Sequence, residues 1–206
     1  MLKKLNPIIV QRNLKNKGFS VFTPREFERI FEVKSGAAQQ FIHSYVQKNF
    51  FTKLRNGLYA LEEKRPPIYF VANKLYRPSY VSLETALSFY GIIPETVYGI
   101  TSVTPKPTKM FETLDLLFTY TRIKQAAFEG YAIQKEDDQI YLIAEPEKAL
   151  ADYLYLVSIG QRKWNDRFYT KNISAKKLDS YAKLFNRNKL NTLIKQLWSQ
   201  KLPSIY

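Results

Sequence analysis

The chain contains no cysteine and a single histidine, His43. Without cysteine there is no disulfide, no thiolate nucleophile and no cysteine-based zinc site, and this composition is typical of a reducing compartment. No apolar run approaches the roughly 18 residues of a membrane span, and the first residues, MLKKL, lack the apolar stretch of a secretion signal. We therefore expect a cytoplasmic protein with no membrane partner, no cofactor and no metal site.

Most enzyme classes also lack their usual residues here. The sequence has no phosphate-binding loop and no glycine-rich dinucleotide turn, and a Ser-His-Asp triad would have to recruit His43. A metal-dependent nuclease needs two or three carboxylates that converge on Mg²⁺ beside a lysine. Asp115, on a predicted strand, could supply one carboxylate, but no Glu-x-Lys pattern follows on a neighbouring strand, and that of Glu62 and Lys64 lies in a predicted linker. We expect a protein that is not an enzyme, and the nuclease stays as the weakest alternative.

Basic residues are concentrated at the two ends of the chain. The formal net charge of +14 divides into +8 for residues 1–60, −3 for residues 61–160 and +9 for residues 161–206. A basic segment attracts polyanions and binds a phosphate backbone in a salt-dependent way. The same charge is also typical of a solvated surface, so charge alone does not decide between these interpretations.

Three amphipathic helices are predicted in the first fifty residues. The first covers residues 5–17, with Leu5, Ile8, Ile9 and Leu14 at helical spacing, and stops at Gly18. Residues 23–26 (TPRE) have the pattern of a capping box and predict a second helix over residues 24–31. Ser35 is predicted to cap a third helix that runs to about Lys48.

The third helix combines an apolar face with a polar one. Side chains able to hydrogen-bond to base edges are predicted on the polar face, and lysines suited to phosphate contacts lie at its two ends. The candidate DNA-binding residues of this helix are Lys34, Gln39, Gln40, His43, Ser44, Gln47 and Lys48.

A β-hairpin is predicted directly after these helices. Asn56-Gly57 favours a tight turn, and apolar residues alternate on both sides of it. Three helices followed by a hairpin are typical of a winged helix-turn-helix, which we predict for residues 1–62. Lys53 and Arg55 lie near the tip of this wing and complete the candidate DNA-binding set.

A second region is predicted after the linker that contains Pro66 and Pro67, which favour neither helix nor strand. For residues 68–206 we expect a mixed α/β domain with an antiparallel sheet and C-terminal helices, so that the fold class is α+β. The predicted elements are helices at 68–75, 82–90 and 145–157, strands at 97–103, 113–121, 127–134 and 139–143, and two basic amphipathic helices capped by Ser174 and Asn188.

Three segments of this second region resemble the AbiEi-type antitoxin and transcriptional-regulator family. They are residues 77–87 (RPSYVSLETAL), 90–95 (YGIIPE) and 144–154 (AEPEKALADYL). The resemblance covers about residues 5–160 and includes the winged helix. It implies that the N-terminal domain binds inverted repeats in double-stranded DNA of its own promoter. It also implies that the C-terminal domain counteracts a nucleotidyltransferase toxin encoded beside it, a partner that a stand-alone member would lack.

A winged helix also occurs in proteins that bind other proteins, so the fold by itself does not establish DNA binding. The main alternative is therefore a protein-interaction module whose winged helix does not bind DNA. A gel shift with the DNA upstream of the gene would distinguish this module from a regulator.

Overall fold

The structure, a computed structural model, describes residues 5–63 and 65–199 and contains the mixture of helices and strands expected of the α+β class. The predicted regions 1–62 and 68–206 extend beyond the described residues at the two termini, and Lys64 of the predicted linker also lies outside them. None of the described helices is long and apolar enough to cross a membrane.

The first part of the described chain forms three helices and three short strands. Strand β3 lies between β1 and β2 and pairs antiparallel with both. The bounds are α1 (Pro7–Asn16), β1 (Val21–Phe22), α2 (Pro24–Phe31), α3 (Ser35–Gln47), β2 (Phe51–Arg55) and β3 (Leu58–Leu61).

Two local predictions in this part are confirmed. At the start of α2 the backbone N–H of Glu26 donates to Thr23 Oγ1 over 3.2 Å, and the backbone N–H of Thr23 donates to Glu26 Oε2 over 2.7 Å. This reciprocal pair is the capping box expected from residues 23–26. The β2–β3 hairpin also turns at Asn56-Gly57, where Gly57 has a φ of 73° that the turn requires.

Another local prediction is wrong, and the predicted first helix is present but buries only some of its apolar residues. Ser35 is the first residue of α3 and not its cap; Lys34 holds the cap position, and no side chain caps the helix there. In α1 the buried residues are Val10 and Leu14, whereas Ile8 is 74% exposed and Ile9 is also exposed. A short helix with apolar residues on two faces buries only the face that meets its neighbours, and the sequence does not show which face that is.

The second part of the chain places helices around a six-stranded sheet with the order β6-β7-β5-β4-β9-β8. The strands are β4 (Tyr80–Val81), β5 (Ile100–Thr104), β6 (Lys109–Thr113), β7 (Leu116–Arg122), β8 (Tyr131–Glu136) and β9 (Gln139–Ala144). The helices are α4 (Ile68–Leu75), α5 (Leu83–Phe89), α6 (Pro146–Ser158), α7 (Ala175–Lys183) and α8 (Asn188–Ser199).

The expectation of an antiparallel sheet is wrong, because β4 pairs parallel with β9 and β5 pairs parallel with β7. The predicted strand at 113–121 corresponds to β7 and the turn before it, whereas β6, the first strand of the β6–β7 hairpin, was not predicted. The turn of this hairpin contains Leu114 and Asp115 at positive φ, so Asp115 does not lie on a strand. The two-residue strand β4 had no signal of its own, and it joins the two halves of the sheet by pairing with β5 on one side and β9 on the other.

Helices α6, α7 and α8 pack on one another at the end of the chain. The predicted cap Ser174 is confirmed, since its hydroxyl accepts from the backbone N–H of Lys177. Asn188 is the first residue of α8. On α8, Leu190, Ile194 and Leu197 are buried, whereas Trp198 is 40% exposed.

The β2–β3 hairpin belongs to two hydrophobic cores at once. One core lies within the first part of the chain, around Phe22, Phe27 and Phe51. The other fills the second part, and four buried residues of the first part join it: Val21, Leu54, Leu58 and Ala60. One face of the hairpin therefore packs against the sheet domain, and the two parts are not separated by solvent at this point.

Candidate nucleic-acid interface

Helix α3 carries a continuous exposed polar stripe. Its apolar side buries Ala38 and Ile42 against α2 and β2, which turns the opposite side to solvent. The predicted residues Gln39, Gln40, His43 and Gln47 are exposed there, together with Lys34 and Lys48 at the two ends, and Ser44 is half-buried beside them. The structure therefore places the seven candidates on α3 or at its two ends, where they are exposed or half-buried.

The two wing residues differ in their surroundings. Lys53 is exposed on β2, whereas Arg55 is partly buried against the second part of the chain. The Nε of Arg55 donates to the carbonyl of Leu75 at the end of α4 over 2.9 Å, and Nη1 donates to the carbonyl of Asn56 over 2.8 Å. Arg55 is thus not the free wing-tip side chain that the sequence suggested. Its guanidinium is held at the junction between the hairpin and the sheet domain.

A basic groove begins at this junction. It has a volume of about 330 Å³ and runs from the hairpin along the end of α4 to the edge strand β6. We call it the wing groove, and its lining residues are Arg55, Lys74, Leu75, Tyr76, Arg77, Lys106, Lys109 and Phe111.

None of the five cations of the wing groove forms an ion pair with a carboxylate of the described residues. The ammonium groups of Lys106 and Lys109 lie instead over the ring of Tyr76, at 5.6 and 5.8 Å from its centroid. Burial, and then the nearby guanidinium of Arg77, lower the pKa of Lys74, an effect that the carboxylate of Glu26 partly opposes. The groove therefore holds positive charge that an anion would neutralise.

Sequence reasoning missed four members of the wing groove, namely Lys74, Arg77, Lys106 and Lys109. They lie in residues 61–160, whose net charge of −3 suggested no affinity for a polyanion. The sequence did contain two short signals, namely the cation pairs Lys74/Arg77 and Lys106/Lys109. The members of each pair are three residues apart, and the first pair flanks Tyr76. The fold brings the two pairs together by placing the end of α4 beside β6. The net charge of a sequence segment does not show this proximity.

The most strongly desolvated ion pair of the described chain lies elsewhere. Lys148 and Asp152 on α6 are fully buried and paired with each other. Asp152 Oδ2 also accepts hydrogen bonds from Ser82 Oγ over 2.8 Å and from Tyr80 Oη over 3.1 Å. Burial raises the pKa of Asp152 and lowers that of Lys148. Because the group has no opening to solvent, its role is to hold α6 against β4.

The described residues contain no group of three His, Cys, Asp or Glu side chains that could hold a metal ion. No protein-family model matches the chain, and no curated protein matches it either. The resemblance of residues 77–87, 90–95 and 144–154 to the AbiEi-type family therefore stays a prediction.

Proposed function

We propose that this protein is a DNA-binding transcriptional regulator whose first part, residues 1–62, is a winged helix-turn-helix. The order α1-β1-α2-α3-β2-β3, with β3 between the other two strands, supports this assignment. In such a domain the third helix enters the major groove and the hairpin contacts the adjacent backbone or minor groove. The exposed polar stripe of α3 is then the surface that reads bases.

The observation that carries the proposal is the position of the wing groove. Its five cations continue from the β2–β3 hairpin, and strand β2 of that hairpin packs against α3, the helix with the exposed polar stripe. Phosphate contacts position a protein on DNA and supply most of its affinity, whereas base contacts supply specificity. The groove would supply the phosphate contacts, and the polar stripe of α3 would supply the base contacts.

Base reading is tested with double-stranded DNA from the region upstream of the gene and with a scrambled duplex of equal length. Gln40→Ala and His43→Ala should weaken binding to the upstream DNA by about 1 to 3 kcal/mol each, and leave the scrambled duplex almost unaffected. Fluorescence anisotropy measures both affinities. Wild-type protein that does not distinguish the two duplexes, or binds neither at low salt, would contradict the proposal.

The groove is tested by the salt dependence of the same binding. In the double variant Lys106→Gln, Lys109→Gln, the slope of log affinity against log salt should fall by about two, because each phosphate contact contributes about 0.9. The matched control is Lys176→Gln, Lys183→Gln, which removes two exposed lysines of α7. Equal losses in the two variants would show that binding follows the net charge and not the groove.

The resemblance to the AbiEi-type family supports a second, separable role within the cytoplasm. Residues 68–206 would counteract a nucleotidyltransferase toxin while the N-terminal region represses the shared promoter at inverted repeats. Co-expression with the gene downstream tests this part. The full chain should restore growth, and Gln40→Ala should relieve repression but still restore growth. A downstream gene whose expression does not impair growth would leave DNA binding as the whole function.

A further inference from the structure

Strand β8 forms one edge of the six-stranded sheet. It pairs with β9 on one side only, and no backbone hydrogen bond other than those to β9 involves Tyr131–Glu136 among the described residues. An edge strand offers a row of free backbone N–H and C=O groups that another strand can pair with. This edge is therefore open to an additional strand.

An apolar patch accompanies this open edge. Ile133 is 69% exposed, Ile140 on the neighbouring β9 is 58% exposed, and Tyr131 is partly exposed. One end of the hairpin is covered, since Tyr131 packs on Tyr80 and Phe128, with centroids 5.0 and 5.8 Å apart. The side chains of Ile133 and Ile140 remain mostly in contact with water, and a partner that covered them would remove this apolar surface from water.

Acidic residues surround the patch. Residues 129–138 contain four carboxylates and one lysine, a local net charge of −3 in a chain of net charge +14. The carboxylates are Glu129, Glu136, Asp137 and Asp138, and Lys135 is paired with Asp138. This charge repels DNA. It also disfavours pairing with the β8 edge of a second copy, because that would bring together two segments of like charge.

We propose that the β8 edge binds a protein partner by strand addition, and that the added strand alternates apolar with basic residues. Main-chain hydrogen bonds to β8 would supply affinity, and contacts with Ile133 and Ile140 would select the register. The four carboxylates would select lysine or arginine. This surface goes beyond the proposed DNA binding and lies at the opposite edge of the sheet from β6, so that both can be occupied together.

The test is a titration of the full-length protein, without DNA, with an acetylated six-residue peptide of sequence KVKIKV. Amide resonances are followed by NMR. The largest shifts should fall on Tyr131–Glu136, and these amides should become protected from exchange. Ile133→Thr keeps a β-branched residue in the strand but should weaken binding about tenfold, because the partner then buries less apolar surface.

Two controls make the outcome specific. Met110 on the opposite edge strand β6 is 65% exposed, so Met110→Thr is the matched variant and should leave the affinity unchanged. A peptide of sequence EVEIEV should bind at least tenfold more weakly than KVKIKV, and the double variant Glu136→Gln, Asp137→Asn should reduce this preference. Asparagine tolerates the positive φ of 46° at position 137.

Three results would overturn the proposal: shifts that avoid β8, equal binding of the two peptides, or full binding by Ile133→Thr. Self-association of the wild type that Ile133→Thr abolishes, measured by sedimentation, would also overturn it, because the occupant would then be a second copy. Since no DNA is present, each of these results is independent of whether the protein binds its promoter.

Discussion

Removal of the Asp152 carboxylate should destabilise the protein more than most single substitutions. In Asp152→Ala, Lys148 remains fully buried without its anion, and the hydroxyls of Tyr80 and Ser82 lose their acceptor. Breaking a buried ion pair from one side costs about 3 to 5 kcal/mol. An unsatisfied buried hydroxyl costs about 1 to 3 kcal/mol, which water entering the cavity would partly offset.

We therefore expect a loss of about 5 kcal/mol in the free energy of unfolding. This is comparable with the whole stability of a small domain, about 5 to 15 kcal/mol. The double variant Lys148→Met, Asp152→Leu replaces the pair by apolar side chains of similar size. It should lose less than half as much, because neither charge remains buried. A double-mutant cycle should thus give a coupling of several kcal/mol between the two positions.

Urea unfolding measures these differences, followed by the fluorescence of Trp164 and Trp198 and by circular dichroism. Lys176→Gln, an exposed position on α7, is the control and should stay within about 0.5 kcal/mol of the wild type. The reasoning fails if Asp152→Ala unfolds within 1 kcal/mol of the wild type, or if the double variant is no more stable than the single one.

Two further predictions concern the junction between hairpin and sheet. A fragment of residues 1–62 exposes Leu54 and Leu58, whose burial contributes about 1.5 to 3 kcal/mol each to the free energy of unfolding. The fragment should therefore show no cooperative thermal transition by circular dichroism. A sharp transition would show that the first part of the chain is stable without the shared core. Because the pKa of Lys74 is lowered, mainly by burial, Lys74 loses its charge as the pH rises through that lowered pKa. DNA affinity measured by anisotropy from pH 7 to 10 should therefore decline earlier in the wild type than in Lys74→Arg, and identical profiles would remove Lys74 from the interface.

Features with a local cause were predictable from the sequence. The capping box at Thr23 and the turn at Asn56-Gly57 depend on residues within four positions of one another, and both are present. The helix at Pro146–Ser158 was predicted from its proline start and its apolar spacing. The polar stripe of α3 followed from helical periodicity, which assigns each residue to a face without knowledge of the rest of the fold.

Features that depend on distant parts of the chain were not predictable. One parallel pair arises because β4 enters between β5 and β9, and a strand of two residues has no periodicity to detect. The other arises because β7, and not β6, lies next to β5. The sequence around Arg55 predicts an exposed side chain at the tip of the hairpin. In the fold its guanidinium donates to the carbonyl of Leu75, twenty residues away, and this contact cannot be seen from the local sequence. Lys106 and Lys109 acquire a common surface with Lys74 only through the packing of β6 against α4.

The sheet separates charge by the order of its strands. The five cations of the wing groove lie beside β6, and the carboxylates of residues 129–138 lie at the β8 edge. Five strand spacings of about 4.8 Å place the two edges of the sheet roughly 24 Å apart. Such a separation gives the molecule an electric dipole along the sheet. If the protein binds DNA as proposed, the field of the duplex would exert a torque on this dipole and would turn the β6 edge toward the phosphates before any contact forms. The Debye length at physiological salt is about 8 Å, which is shorter than the distance between the two edges of the sheet. Salt would therefore slow the encounter with DNA in two ways, by weakening the attraction and by weakening the orienting torque.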